Sequence, residues 1–138
     1  MANGPASDVL RSRTRPPRAP RSAIQRARVV ERIQSGLSGS LVLIVAGAGY
    51  GKSTSALQAV TSWSAEWAWC SCDRRMTSAP ALAAHLVAAV EERVPGFGAG
   101  HAMRGEPAEL GAFLVGELEA TLSEDLVLVL DDVHLLVQ

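Results

Sequence analysis

The residues best suited to chemistry form the stretch AGAGYGKST at positions 46 to 54. It contains the only lysine of the chain, Lys52, whereas the other twelve basic residues are all arginine. Glycines at alternate positions, Gly47, Gly49 and Gly51, allow a tight turn that presents successive backbone N–H groups to an anion. A compact ammonium group suits such a crowded loop better than a planar guanidinium group. The pattern predicts a phosphate-binding loop, with alanine at its first position where the motif has glycine.

The side chains after the loop have the types that a nucleotide site needs. We expect a helix to begin at Ser53 and to point the positive end of its dipole at the phosphates. Lys52 is expected to reach the β and γ phosphates, the Ser53 hydroxyl to coordinate Mg²⁺, and Thr54 to contact the α phosphate. The predicted nucleotide-binding residues are Ala46, Gly47, Ala48, Gly49, Tyr50, Gly51, Lys52, Ser53 and Thr54. The alternative is a glycine-rich turn that only connects a strand to a helix.

Two adjacent acids follow an apolar run in LVLVLDD, residues 126 to 132. An acid at the end of a buried strand can hold the Mg²⁺ shell in phosphoryl-transfer proteins. We therefore expect Asp131 to bind the metal, directly or through water together with Ser53. Asp132 is the candidate catalytic residue, which would orient or deprotonate an attacking water. The alternative is that the two acids begin a solvated turn.

Apolar runs and helical stripes alternate along the chain and predict how these residues are held. Continuous apolar runs predict strands, and apolar residues at helical spacing predict amphipathic helices. Strands are expected at 41–46, 66–73 and 126–132, and helices at 53–64, 80–93 and 108–122, with a short helix or turn at 23–36. The order β–α–β–α–α–β favours an α/β fold, in which a parallel sheet is covered on both faces. On this view residues 41 to 46 form a strand that is buried on both faces.

The charges are divided between an arm and a body. Residues 1 to 40 hold eight arginines and two acids, a balance of +6, whereas residues 41 to 138 hold five basic and twelve acidic residues, a balance of −7. Residues 1 to 22 contain four of the seven prolines, which predicts a disordered basic arm. We interpret the arm as a solvated tail. The alternative, contact with nucleic-acid phosphates, has no interleaved aromatic residues to support it.

Cysteine and histidine residues do not form a convincing metal pattern. A zinc site needs about four ligands, and Cys70 and Cys72 have no second cysteine pair or suitably spaced histidine pair. We expect both to be reduced thiols that pack within a strand. His85 and His101 are expected to face solvent. The N-terminus has no apolar signal segment and no apolar run is long enough to cross a bilayer, so we expect a soluble cytoplasmic protein without a membrane partner.

Four stretches together resemble a known family. They are RVVERI at 28–33, LVLIVAGAGYGKST at 41–54, WAWCSCD at 67–73 and LVLVLDDVHLL at 126–136. The chain from residue 24 onward resembles the nucleotide domain of the large ATP-binding regulators of the LuxR family, a MalT-like group within the STAND class of P-loop NTPases. The sequence departs from the family where proline is usual at Gly47 and threonine at Ser53.

The resemblance implies a partial three-layer α/β/α sandwich, with residues 23–138 as the N-terminal portion of a P-loop NTPase domain and the remaining strands absent. It implies ATP and Mg²⁺ as cofactors, and a switch in which ATP favours a self-associating state that slow hydrolysis resets. Residues 24–28 are where the family suggests an adenine contact. The family's winged-helix region, helical sensor and C-terminal helix-turn-helix have no counterpart here. We therefore expect a fragment of a regulator, with DNA binding only through the missing C-terminus.

Two other functions fit the same motifs. One is another P-loop ATPase or a small nucleotide-dependent kinase, which would need a lid and further strands. The other is a truncated chain that does not hold ATP and acts, if at all, through its arginine-rich arm. Lys52-dependent nucleotide binding separates the third possibility from the first two.

Overall fold

The computed structural model describes residues 9 to 137, and over that range it is an α/β fold with four α-helices and a parallel pair of strands. The elements are α1 (Ala27–Leu37), α2 (Lys52–Thr61), β1 (Glu66–Ser71), α3 (Ala79–Glu91), α4 (Pro107–Thr121) and β2 (Leu126–Asp131). The chain divides into two compact units. One is Pro17–Glu66, and the other combines the residues up to Pro16 with those from Trp67 onward.

The unit from Pro17 to Glu66 contains α1 and α2. Apolar residues of both helices are buried, with Ile33 in α1 and Ala59 and Val60 in α2 all below a tenth exposed. A polar side chain links the two helices, because Gln34 Nε2 donates to the Ala59 carbonyl and to Ser62 Oγ, each at 2.9 Å. The predicted helix at 53–64 is confirmed with bounds that begin one residue earlier and end three residues earlier.

The prediction of a buried strand over residues 41 to 46 is wrong for this structure. These residues belong to no strand or helix, and Leu41, Leu43 and Val45 are 80% exposed or more. Their neighbours alternate with them, since Val42 and Ile44 are half-buried. The Cγ2 atom of Val42 would lie 2.7 Å from a Cβ atom on Gly36, so one face of the segment packs against α1. A strand needs a hydrogen-bonding neighbour, and the described elements of the 17–66 unit include only the two helices.

The second unit is built on β1 and β2, which pair side by side. The backbone N–H of Cys72 donates to the Asp131 carbonyl at 2.8 Å, so the pairing continues just beyond the end of β1. Apolar residues of α3, of α4 and of the loop between these two helices complete the core. Its clusters are Cys70, Cys72, Met76 and Ala89; Ala68, Val90 and Phe97; and Ala83, Met103 and Leu110.

Local signals fix the starts of α3 and α4. Ser78 caps α3, with its Oγ accepting from the Ala81 N–H at 3.3 Å, and a proline follows in the first turn. The N–H of Glu106 donates to Glu109 Oε2 at 3.2 Å, and Pro107 is the first residue of α4. Proline is tolerated there because its missing N–H has no partner in the first turn of a helix. Both helices begin within one residue of the predicted positions.

Among residues 9 to 137, no helix has both the length and the apolar character needed to cross a membrane.

Candidate functional site

The loop between residues 46 and 52 has the backbone conformation that its glycines allow. Gly49 and Gly51 adopt positive φ angles of 78° and 77°, which glycine reaches without steric cost. Gly47 does not, and a Cβ atom there would meet the Tyr50 ring at 3.0 Å. Two of the three predicted glycines therefore serve the turn itself, whereas the third leaves space for an aromatic ring.

Lys52 ties the loop into a ring. Its Nζ atom donates to the carbonyl oxygens of Ala46 and Gly47, each at 2.8 Å, so residues at the two ends of the loop are joined through one ammonium group. Lysine has three N–H donors, so one remains beyond these two bonds. Lys52 is also the first residue of α2, where the orphan N–H groups of the helix begin. The ammonium group and the helix N-terminus therefore combine two positive features in one short segment.

The remaining predicted nucleotide-binding residues surround this ring. Residues 46 to 50 are exposed, and Gly51 to Thr54 are half-buried at the start of α2. The N–H of Ser55 donates to the Gly51 carbonyl at 2.9 Å, which closes the first turn of the helix. The loop is thus open to a ligand on its outer side and anchored by a regular helix on the other.

Arg26, which precedes α1, also contacts the loop. Its Nη1 atom donates to the Tyr50 carbonyl at 3.0 Å. Arg26 lies within the 24–28 segment expected to contact adenine, yet nothing in the spacing of its neighbours predicts a contact with residue 50. The contact arises from the packing of α1 beside α2.

The two predicted acids lie at the end of β2 in the other unit. Asp131 Oδ1 accepts from the backbone N–H of Asp132 at 3.0 Å, which orients that carboxylate. Asp132 is exposed and has a φ angle of 56°, the only positive φ angle of a non-glycine residue within the described chain. Its carbonyl accepts from the Leu135 N–H at 2.9 Å and begins the 3₁₀ turn Val133–Leu136. Asp131 is therefore the last residue of β2, and Asp132 follows it directly.

A third acid, Asp73, follows β1 at the same end of the strand pair. Arg75 donates to Asp73 Oδ2 from Nη2 at 2.8 Å, and the Arg75 backbone N–H donates to Oδ1 at 2.8 Å. Arg13 adds an ion pair, with Nε 3.2 Å from Oδ2. The hydrogen bond from the Arg75 side chain, with the charges of both arginines, lowers the pKa of this carboxyl despite its partial desolvation.

The contact with Arg13 belongs to a packed part of the N-terminal segment. Residues Arg11–Arg13 form a 3₁₀ turn, and Thr14 is 4% exposed. Arg15 lies 3.8 Å from Glu92. The average composition of residues 1 to 22 does not predict these contacts. Residues 1 to 8 of the predicted arm lie outside the described residues.

The ion pairs of Asp73 lead to a prediction about pH. Its pKa is lower in the folded than in the unfolded chain, so the unfolded chain takes up the proton first as the pH falls. The stability that Asp73 contributes is therefore present above about pH 4 and is lost as the pH falls through the folded-state pKa. Asp73→Asn should lower the free energy of unfolding at pH 7 and flatten its fall in acid. Urea unfolding between pH 2 and 7 measures this, with exposed Asp125→Asn as the control. Parallel pH profiles for the wild type and Asp73→Asn would contradict the assignment.

The two cysteines are free thiols and are buried. Cys70 and Cys72 are fully buried, and the hydrogen bond to Cys72 together with burial raises the pKa of Cys70, which keeps its thiol protonated.

His85 is 7% exposed, so its predicted solvent-facing position is wrong. Its Nδ1 atom lies 2.8 Å from the Ala81 carbonyl one helical turn earlier, and this partner allows burial. His101 is exposed and stacks on Phe113 at 3.6 Å.

The predicted site residues thus occur in two groups. Residues 46 to 54 form one group, in the Pro17–Glu66 unit, and Asp131 and Asp132 form the other, together with Asp73. No group of three or more histidine, cysteine or acidic residues that could hold a metal ion occurs within residues 9 to 137.

Comparison with known proteins gives no match: no family model, no curated protein and no solved structure is similar to this chain at a significant level.

Proposed function

We propose that this chain binds ATP through residues 46 to 54 and serves as the nucleotide switch of a LuxR-type transcriptional regulator, with slow Mg²⁺-dependent hydrolysis. The observation that carries the proposal is the closed loop. Lys52 Nζ bridges the Ala46 and Gly47 carbonyls while the same residue begins α2. The role in a regulator rests on the sequence resemblance alone.

The closed loop supports phosphate binding for an electrostatic reason. Backbone N–H groups and a helix N-terminus attract anions, and a fixed ammonium group adds a full charge at the same place. For stability alone this is a poor position for lysine, because a cation at a helix N-terminus opposes the dipole. An anionic ligand bound beside the Lys52 ammonium group would explain why a cation occupies this position.

Magnesium fits the oxygen donors that the proposal assigns. Mg²⁺ prefers oxygen ligands and usually takes only one or two carboxylates, with waters and phosphates filling its shell. The two residues expected from the sequence to bind the ion, Ser53 and Asp131, each supply an oxygen of this kind. When bound, the ion would neutralise charge on the phosphates. The carboxylate of Asp131 is already oriented by the N–H of Asp132.

Asp132 is the proposed general base for a water that attacks the terminal phosphate. Its φ angle of 56° supports a functional role, because side-chain-bearing residues held in the left-handed region are concentrated at functional sites. The strain is modest, since aspartate tolerates this region better than most residues. An exposed carboxylate in a fixed backbone conformation can accept a proton from water and release it to solvent.

A P-loop NTPase fold and a cytoplasmic location are also part of the proposal. The parallel strands with helices support the fold. A cytoplasmic location would supply ATP and keep Cys70 and Cys72 reduced.

Titration of the full chain with phosphate ligands tests the proposal. We expect saturable binding of ATP and of inorganic tripolyphosphate in the presence of Mg²⁺, measured by isothermal titration calorimetry. AMP should bind at least about tenfold more weakly, because it lacks the phosphates that the loop and Lys52 would hold. Asp131→Asn should reduce the Mg²⁺ dependence of ATP binding.

Two results would count against this function. Equal affinity for ATP and AMP would mean that the nucleoside, not the phosphate chain, is recognised. Absence of saturable ATP binding by a chain that is folded by circular dichroism would favour the non-enzymatic alternative.

A further inference from the structure

Arg26 lies against the phosphate loop although it is 24 residues away from Tyr50 in sequence. Besides the 3.0 Å hydrogen bond from Nη1 to the Tyr50 carbonyl, its guanidinium group lies beside Gly51. A Cβ atom on Gly51 would be 3.8 Å from Cζ and 3.9 Å from each terminal nitrogen of Arg26. The guanidinium group therefore covers one side of the peptide that joins Tyr50 to Gly51.

The chain around Arg26 is itself held in place. Gln58 Nε2, in α2, donates to the Ile24 carbonyl at 3.2 Å. The N–H groups of Val29 and Val30 donate to the Arg26 carbonyl at 2.9 and 3.0 Å, so its backbone begins α1. Gln34 links α1 to α2 further along. Arg26 thus reaches the loop from a fixed position beside α2.

The contact fixes the direction of a peptide plane. In a trans peptide the carbonyl and the N–H point in opposite directions within one plane. The Tyr50 carbonyl points toward Arg26, so the Gly51 N–H must point to the opposite side, away from that guanidinium group. No bond from the Gly51 N–H to another backbone group occurs within residues 9 to 137.

The Tyr50–Gly51 peptide needs the hydrogen bond from Arg26 because the glycines of the loop allow the backbone to rotate. Gly49 and Gly51 have no Cβ atoms and adopt positive φ angles, a region that glycine enters and leaves at little cost. A rotated peptide would turn the Tyr50 carbonyl, which carries partial negative charge, toward the side where an anion would bind. The Tyr50 N–H reaches the Gly47 carbonyl only at 3.5 Å, so the turn alone restrains the peptide weakly.

We propose that Arg26 is a positioning residue of the phosphate loop: it holds the Tyr50 carbonyl outward so that the Gly51 N–H is presented to the phosphate chain of the bound ligand. This inference rests on the proposed function and adds one residue and one peptide to it. Arg26 acts through the backbone of the loop, and its target is the phosphate chain and not the base or ribose.

Binding measurements on the full chain test the proposal with three variants. Arg26→Ala removes both the donor and the charge, and we expect it to weaken binding of ATP and of tripolyphosphate equally, by about tenfold. Arg26→Gln keeps a neutral donor without the charge and should recover part of that loss. Arg32→Ala, at an exposed position of α1, removes an equal charge without the loop contact and should bind like the wild type.

An NMR measurement adds a readout that a merely structural role would not change. On addition of tripolyphosphate, the Gly51 amide resonance should shift strongly in the wild type and in Arg32→Ala but weakly in Arg26→Ala. Melting temperatures of the three variants, measured without ligand, should stay close to that of the wild type.

The outcomes separate this proposal from the proposed function. If Arg26→Ala binds ATP like the wild type while Lys52→Ala does not bind it, the positioning role is overturned and the proposed ATP binding stands. Weaker binding of ATP but not of tripolyphosphate would overturn it as well, because Arg26 would then contact the nucleoside. Equal loss of binding in Arg26→Ala and Arg32→Ala would mean that the effect is general charge attraction, which would overturn the positioning role. Absence of ATP binding by the wild type would overturn both proposals.

Discussion

Replacing Lys52 by alanine should weaken ATP binding by about 100-fold or more while leaving the folded chain nearly as stable as before. The substitution removes the ammonium group that bridges the Ala46 and Gly47 carbonyls at 2.8 Å. A hydrogen bond from a charged donor contributes about 1.5–3 kcal/mol, and the variant would lose such a bond to the phosphates together with the attraction of the full charge.

Stability should respond differently because two effects oppose each other. The loop loses the two hydrogen bonds from Lys52 to the Ala46 and Gly47 carbonyls. These bonds are exposed to solvent, where the net contribution of such a bond to stability is smallest. The first residue of α2 loses a positive charge that opposes the helix dipole, a gain of about 0.3–1 kcal/mol. Alanine is also the strongest helix former.

Calorimetric titration with ATP and Mg²⁺ measures the loss of binding, and urea unfolding measures stability. Arg32→Ala is the matched control, since Arg32 is an exposed cation of α1 in the same unit. It should retain binding within about threefold. If Lys52→Ala binds ATP within the same range, the lysine does not hold phosphate and the proposed site is wrong.

Replacing Trp69 by alanine should destabilise the chain by about 3–5 kcal/mol, the usual cost of deleting a buried tryptophan. Trp69 is 1% exposed and is the largest of the fully buried side chains. Its Nε1 atom donates to Ser71 Oγ at 3.0 Å, so the substitution also removes the partner of that hydroxyl. A typical domain is stable by only about 5–15 kcal/mol, so this substitution should remove a large share of the free energy of unfolding.

Two variants control for this result. Trp69→Phe keeps most of the ring and loses only the N–H, so we expect a much smaller loss. Trp67→Ala removes a half-buried ring that lies 4.5 Å below the Arg93 guanidinium group, and a partly exposed cation–π contact contributes about 0.5–1 kcal/mol. Urea unfolding followed by far-ultraviolet circular dichroism ranks the three. A Trp69→Ala midpoint close to that of Trp67→Ala would mean that Trp69 does not anchor the core.

The sequence predicted those elements whose causes are local. Pro80 marks the start of α3, and leucines at four-residue spacing mark the buried side of α4. β1 and β2 were recognisable as apolar runs, and both end within two residues of their predicted ends. Caps, proline and periodicity act over a few residues, which is why they can be found in a single sequence.

Two of the three features that the sequence did not predict correctly depend on partners that are distant in sequence, whereas His85 has its partner on the same helix. The apolar run at 41 to 46 has the composition of a strand, but whether it pairs depends on which segment lies beside it. His85 was expected to be exposed because it is polar, although the Ala81 carbonyl on its own helix satisfies its ring. Ion pairs between Arg13 and Asp73 join residues that no local pattern connects.

The candidate site was predictable in the same uneven way. Glycine positions 49 and 51 and the importance of Lys52 follow from residue type and spacing. The Tyr50 ring beside Gly47 and the Arg26 contact follow only from three-dimensional packing. The direction of the Gly51 N–H, on which the positioning role depends, is a property of one peptide plane and has no sequence signal.

The exposed segment at 41 to 46 has a consequence for handling the protein. It reads LVLIVA, without charge, proline or glycine, and presents Leu41, Leu43 and Val45 to water. Short segments of this composition are those that stack between molecules into cross-β fibrils when they are accessible. We therefore expect intermolecular stacking at this segment to compete with the monomer in concentrated solution.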